Sequence, residues 1–440
     1  MGSADPATRS PRHWPGPRAW WNLAAAGIVL RLLLAPHGGY PSDVASFRAW
    51  ATLLARDGAS AFYGSGFADY LPGYLYVLWL IGKVDAAVGL SETAWLVALK
   101  VPAILADVAG AWLVLASGLG AGHPRALPVA ASYLFNPGVV FISAVWGQAD
   151  AVAALLVLAG VAFLTQRDAP GTVVVGGATL LTLAVLVKPQ TAPALLPAGL
   201  VVLRLAGVAG VPAMPGAVTR DTGASALRPG LLVAAVAVPL AVTALAAWPF
   251  DLTPLGLVGR LRAAAAVYPY GSVMAFNLWG AIVGFWTGDG VRWLGLPLVA
   301  WGALLTTGAA VLVAALTWRA GCSQVLPAAV AAVLVAAFAF PTRVHERYLL
   351  PALPVLAIAG YQDRRFHWAY AALSALLALN VVYAYTRPHL HTVLLPPWVE
   401  TTVFAPPVVR ALGLVAVGAA AWLLAVLAGH AATPRRRRTP

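Results

Sequence analysis

Charged residues are scarce in this 440-residue sequence. Asp, Glu, Lys and Arg make up 10% of it, against about 25% in a soluble protein. With 61% hydrophobic residues and a mean hydropathy of +0.81, the chain is expected to be an all-α polytopic membrane protein with little room for a soluble domain. Cysteine is nearly absent: Cys322 stands alone. That excludes an intrachain disulfide and a cysteine metal cluster. Lysine is confined to Lys83, Lys100 and Lys188, so the net charge of +13 comes mainly from arginine. Positive-inside topology and contact with anionic lipid explain that excess better than nucleic-acid binding, which is not expected. There is no His-Glu-x-x-His and no Asp-x-Asp, so no metal and no other cofactor is expected. An inverted repeat of the kind many transporters carry is also missing.

The apolar runs set the topology. Arg9, Arg12 and Arg18 precede the run at 20–36. It lacks a small-x-small cleavage site and reads as a retained signal-anchor with its N-terminus in the cytoplasm. The run at 71–90 is interrupted by Pro72, Gly73, Gly82, Lys83 and Asp85. If it spans, Arg125, Arg167, Arg204, Arg220 and Arg228 fall outside. If it is a re-entrant or interfacial hairpin they fall inside, and loop arginine counts favour the hairpin. Further spans are expected at 96–117, 127–146, 150–165, 171–187, 190–206, 229–249, 292–317, 324–340, 347–361, 367–386 and 407–430. Each is near the ~20 residues needed to cross the hydrocarbon, giving about twelve helices with both ends inside. The expected division is a cytoplasmic segment 1–19, a membrane module 20–249 with an external loop 40–95, an external loop 250–290, a second membrane module 291–430 and a basic cytoplasmic tail 431–440.

This threading sends most of the polar motifs to the outer face. Asp43 and Asp69 lie in the first external loop. Trp146-Gly-Gln148-Ala-Asp150, Lys188-Pro-Gln190, Trp248-Pro-Phe-Asp251, Asn277-Leu-Trp279 and Arg343-Val-His345-Glu346-Arg347-Tyr348 lie at outer turns. Asp107 is the mid-span exception. Ionisable groups at membrane depth are costly and mark function. Clustering on one side suggests a pocket rather than a path through the membrane.

Each motif has two readings. Asp43 either caps the helix carrying Phe47 and Trp50 or acts as a general base on an acceptor hydroxyl. Asp69 is a turn residue, a ligand of sugar hydroxyls, or a partner in the base role. Gln148 and Asp150 are loop and cap, or they bond a sugar or brace the first loop. Lys188, beside Gln190, either snorkels or faces a phosphate. Arg343 and Arg347 suit a phosphate as forked donors and His345 can donate to it; alternatively Glu346 partly neutralises Arg347 at the interface. Tyr70, Tyr74, Trp146 and Trp279 offer ring faces to a sugar or anchor the chain at the interface.

Taken together, the Asp43 loop, Asp69-Tyr-Leu-Pro-Gly-Tyr74, Phe135-Asn-Pro, Ser143-Ala-Val-Trp-Gly-Gln-Ala-Asp150, Lys188-Pro-Gln190, Trp248-Pro-Phe250, Phe276-Asn-Leu-Trp279 and His345-Glu-Arg-Tyr-Leu-Leu-Pro351 resemble bacterial mannosyltransferases related to the second GPI mannosyltransferase. More distantly they resemble dolichyl-phosphate-glucose glucosyltransferases. Both groups belong to the GT-C superfamily, and the resemblance covers roughly residues 20–430. It implies a GT-C fold with short interfacial helices in the first external loop. It also implies inverting transfer of one sugar, mannose by this likeness, from a polyprenyl-phosphate donor to a glycolipid or glycan acceptor at the outer face of the plasma membrane. Asp43 would be the base. Asp69, Tyr70, Tyr74, Trp146, Gln148, Asp150, Lys188, Gln190, Asn277, Trp279, Arg343, His345, Glu346, Arg347 and Tyr348 would bind substrate. The competing classes are a lipid-linked sugar flippase and a polymerase or ligase using lipid-diphosphate glycans.

Overall fold

A computed structural model describes residues 16–66, 68–166, 169–208, 227–320, 323–387 and 395–432. Expectations placed on Arg9, Arg12, Arg167, Arg220, Cys322 and the tail beyond Ala432 lie outside the described residues.

The N-terminal half comprises α1 (Pro17–Leu34), α2 (Pro41–Asp57), α3 (Pro72–Val88), α4 (Glu92–Gly120), α5 (Ala126–Leu134), α6 (Pro137–Val140), α7 (Asp150–Leu164), α8 (Gly171–Val187), α9 (Leu195–Leu205) and α10 (Pro229–Ala247). After it come α11 (Pro254–Ala266), α12 (Leu278–Ile282), a two-stranded ribbon of β1 (Arg292–Trp293) and β2 (Leu296–Pro297), α13 (Leu298–Ala320), α14 (Leu326–Ala339), α15 (Ala352–Ala359), α16 (Arg365–Thr386) and α17 (Pro406–Ala432). The ribbon occupies the expected start of a span at 292, so that helix begins six residues later.

Among the described residues five helices are long and apolar enough to cross a membrane: α4, α10 with the turn after it, α13, α16 and α17. A sixth is formed if α5 and Pro137–Trp146 count as one span bent by 42°. The bend sits at Asn136-Pro137. The proline starts a new helix because it cannot donate to the old one, and the Asn136 side chain caps it by accepting from Gly138 N at 3.0 Å. The α7 and α8 helices are apolar but shorter. The tally of about twelve full spans therefore does not emerge from helix length and composition.

Two buried ties show how the first loop is placed. Arg31 and Asp107, both fully buried, pair at 3.0 Å between α1 and α4. Lys100 Nζ donates to the carbonyls of Ala35 at 2.8 Å and His37 at 2.9 Å. Trp20 meets Trp112 with ring centroids 5.2 Å apart. The end of α1 thus lies beside the start of α4, and the start of α1 lies farther along it. The chain between, carrying α2 and α3, leaves and returns at one end of this pair.

Within that excursion, α3 is one unbroken helix. Pro72 occupies its first turn, where no hydrogen bond is lost. Gly82 does not break it either. A Cβ there would lie 2.1 Å from the Ala51 carbonyl oxygen, so this glycine permits close packing of α3 on α2. An aromatic core, including Phe47, Trp50, Phe62, Tyr74, Trp95 and Phe250, holds the two helices. The main core is separate and centres on α14 to α17, where nearly all of α14 is buried. By contrast α10 exposes Val233, Val236, Leu240 and Leu245. Such a surface needs an apolar medium around it.

Candidate active site

The first loop, the turns before α7 and after α8, the stretch from α11 to Trp286 and the chain after α14 enclose a cavity of about 720 Å³. Twelve of the expected residues line it: Asp43, Asp69, Tyr70, Trp146, Gln148, Lys188, Gln190, Arg343, His345, Glu346, Arg347 and Tyr348. They come from segments far apart in sequence, and the threading by arginine placement puts them all on one face.

Asp43 lies in the first turn of α2. The helix cap is the backbone of Tyr40, and no side chain caps it, so the capping role considered for Asp43 is not what the structure shows. Its Oδ2 accepts from Trp146 Nε1 at 2.8 Å and from the Gln148 side-chain amide. No described residue bonds its Oδ1. Trp146 is held by its neighbours: Tyr40 stacks on it at 4.7 Å and 17°, and the Arg347 guanidinium lies 5.4 Å from the ring. The turn that delivers Gln148 passes through Gly147 at φ +88°, a left-handed conformation natural to glycine.

Lys188 ends α8 and is buried. Its ammonium donates to the Tyr70 hydroxyl and to Gln148 Oε1, the latter at 3.1 Å, with Asp150 Oδ2 at 3.8 Å. Asp150 is fully buried behind the cavity and does not line it. It accepts from Gln190 at 3.2 Å and lies 3.5 Å from Arg347 Nε. It stands behind the two cations and contributes no surface to the cavity. Arg347 also bonds Glu346 at 2.5 Å. Its Nη2 has no protein partner among the described residues, leaving one guanidinium edge for a ligand. Arg343, at φ +65°, is already engaged by Asp289 at 2.7 Å and the Ala265 carbonyl at 2.8 Å. Its Nε and Nη1 are therefore taken, and Nη2 alone has no bonded partner among the described residues. His345 is held by Tyr268 in an edge contact at 4.8 Å. The backbone at 343–345 is knitted to 270–274, with Val273 N donating to Val344 O at 3.0 Å.

Burial sets the ionisation in these loops. His345 is held well below the usual imidazole range by burial first, then by Arg347 and Lys188. It is neutral at pH 7 and offers a hydrogen bond without charge. Asp69 is raised above the usual carboxylate range by burial, with Lys188 and Arg347 opposing. The Tyr40 hydroxyl is pushed up to about 12 by burial, with Glu346 and Asp43 adding to the shift.

Besides Asp150, three expected residues do not reach the cavity. Tyr74 and Trp279 are fully buried, so neither offers a ring face to a sugar. Trp279 Nε1 donates to the Phe340 carbonyl at 2.7 Å. Asn277 caps α12, accepting from Gly280 N at 3.0 Å. Conversely Tyr40, Ser42, Ser46, Tyr268 and Trp286 line the cavity without having been singled out. Ser42 and Ser46 flank Asp43 in sequence, and Tyr268-Pro-Tyr270 follows an alanine run. Those were the available signals. Among the described residues no group of three or more His, Cys, Asp or Glu side chains is placed to hold a metal ion.

No family model matches the chain, and no curated protein matches it. Among solved structures it is similar to ArnT from Cupriavidus metallidurans. The apo state gives a TM-score of 0.50 at 16% identity, covering 93% of this chain and 76% of that one. The state bound to undecaprenyl phosphate gives 0.47 at 15% identity, covering 94% and 78%. The fold is thus a GT-C membrane fold. The finer resemblance to relatives of the second GPI mannosyltransferase draws no support from these comparisons.

Proposed function

We propose that the protein is an inverting glycosyltransferase that moves one sugar, mannose by the sequence resemblance, from a polyprenyl-phosphate donor to a glycolipid or glycan acceptor, at the extracytoplasmic face of the plasma membrane. One observation carries this reading. A carboxylate anchored through one oxygen, Asp43, shares a cavity with a guanidinium that keeps one free edge, Arg347. The acceptor oxygen attacks the anomeric carbon while its proton passes to Asp43 Oδ1. The bond from that carbon to the phosphate oxygen breaks, and its electron pair leaves with the lipid phosphate. Arg347 and the Lys188 ammonium stabilise that charge as it develops. Neutral His345 can donate a hydrogen bond to the same phosphate.

The balance of charge favours a singly charged donor. Asp43, Asp69 and Glu346 face Lys188, Arg343 and Arg347 around the cavity, with Asp150 and Asp289 behind the cations. Such a site is no excess of positive charge waiting for a diphosphate. A phosphodiester fits it better, which weighs against the polymerase or ligase reading. The flippase reading loses its mid-span acid, because Asp107 is buried and neutralised by Arg31.

The test is transfer by purified protein in detergent from a panel of polyprenyl-monophosphate and polyprenyl-diphosphate sugars to an envelope lipid extract, with and without chelator. Transfer from a monophosphate sugar that survives chelation is expected. Transfer from diphosphate donors alone, or from none, would end this reading.

A further inference from the structure

Gln148 occupies a position that the transfer scheme leaves unexplained. It is 1% exposed, yet its amide is bonded at both ends. Oε1 accepts from the Tyr70 hydroxyl at 2.9 Å and from Lys188 Nζ at 3.1 Å. Nε2 donates to Asp43 Oδ2. An amide can be flipped in such a site only if its partners tolerate the exchange. Here they do not. Flipping would turn the NH2 group towards an ammonium, a pure donor, and the carbonyl towards a carboxylate, a pure acceptor. The partners at the two ends therefore fix the orientation together.

The geometry points to Gln148 as a positioning residue. Clamped at its carbonyl by Lys188 and Tyr70, it holds Asp43 through Oδ2 and so aims the uncommitted Oδ1 at the acceptor hydroxyl. This rests on the reading of Asp43 as the base. Trp146 shares the task by donating to the same oxygen. Two donors on one carboxylate oxygen fix the rotation of the group and leave its other oxygen as the better proton acceptor. The clamp also links the cation expected to meet the donor phosphate with the carboxylate expected to meet the acceptor. The charged or titratable groups around the amide are Asp43 from α2, Tyr70 from the segment before α3 and Lys188 after α8. Asp150 stands beside Lys188, and Arg347 lies over Trp146.

Gln148→Glu and Gln148→Met separate positioning from packing. In Gln148→Glu the ionised side chain sets a second carboxylate against Asp43. When protonated, the same side chain restores an acceptor for Lys188 and a donor for Asp43. The expected result for Gln148→Glu is a kcat reduced about tenfold or more at neutral pH, with the ratio to wild type rising as pH is lowered. Gln148→Met should lose kcat at every pH, with the donor KM little changed. Wild-type kcat in Gln148→Met, or a Gln148→Glu profile parallel to wild type, would overturn the proposal. A second readout needs no turnover: carbodiimide coupling to Asp43 at fixed pH, mapped by mass spectrometry. Coupling should be at least severalfold faster in Gln148→Met, whose Asp43 has lost a charge-assisted bond; equal rates would overturn the clamp. If wild type shows no transfer, the glycosyltransferase reading fails, and the coupling rates still decide whether Gln148 holds Asp43.

Discussion

At the scale of single residues, the informative distinction is between groups that are engaged and groups that are free. Arg343 and Arg347 look alike in the sequence, two forked donors four residues apart. In the structure Arg343 commits Nε and Nη1 to Asp289 and the Ala265 carbonyl at the more exposed rim. The less exposed Arg347 lies against Trp146, a residue that bonds Asp43, with Nη2 unbonded among the described residues. Arg347→Lys is therefore expected to lower kcat/KM for the donor about tenfold or more while the protein stays folded, since a lysine keeps the charge but not the fork. Steady-state kinetics against donor concentration check this. Asp69 gives a second prediction. Its folded-state affinity for the proton is raised by burial, so its carboxylate costs stability once pH exceeds the unfolded value near 3.8. That cost is complete above the raised folded value. Asp69→Asn should raise the melting temperature at pH 7, and the gain should shrink as the pH falls towards the carboxylate range. A gain that grows on acidification would contradict the assignment. Arginine placement and segment length bring most of the candidate residues to one face, and twelve of them line one cavity. Those signals could not show which partners each residue already had, and for that reason Asn277, a helix cap, and Trp279, a buried donor to a carbonyl, were read as ligands of a sugar.

At the scale of elements, the placement of α2 and α3 depends on a few contacts. Arg31–Asp107 and the Lys100 ties fix α1 against α4, so the first loop begins and ends together. Asp107→Ala leaves Arg31 buried without its carboxylate, and the expected loss is roughly 3–5 kcal/mol. Thermal unfolding in detergent measures it, and the double substitution Arg31→Met with Asp107→Leu should recover much of the loss. The glycine in α3 shows a limit of pattern reading. Gly82 inside an apolar run signals either a break or a close approach, and only the neighbour decides between them. That neighbour is the Ala51 carbonyl, remote in sequence. Gly82→Leu should separate α3 from α2 and lower both stability and activity. Helix limits were legible in most of the chain because apolar runs and turn residues are local signals. The ribbon before α13 was not, since its short strands carry no periodicity to detect.

For the whole molecule, the fold gathers polar groups from both halves of the chain into one cavity at one end of the helices and leaves apolar faces such as that of α10 outward. This arrangement suits a reaction carried out on a lipid-borne sugar at a membrane face, with no need to move charge across the bilayer. The most direct measurement is single-turnover transfer from a polyprenyl-monophosphate sugar by wild type, Asp43→Asn and Asp69→Asn, with donor binding measured in parallel. Asp43→Asn should bind donor like wild type and transfer about a hundredfold or more slowly, with Asp69→Asn retaining the faster turnover of the two variants. Undiminished transfer by Asp43→Asn, or a dead Asp69→Asn beside an active Asp43→Asn, would contradict the account.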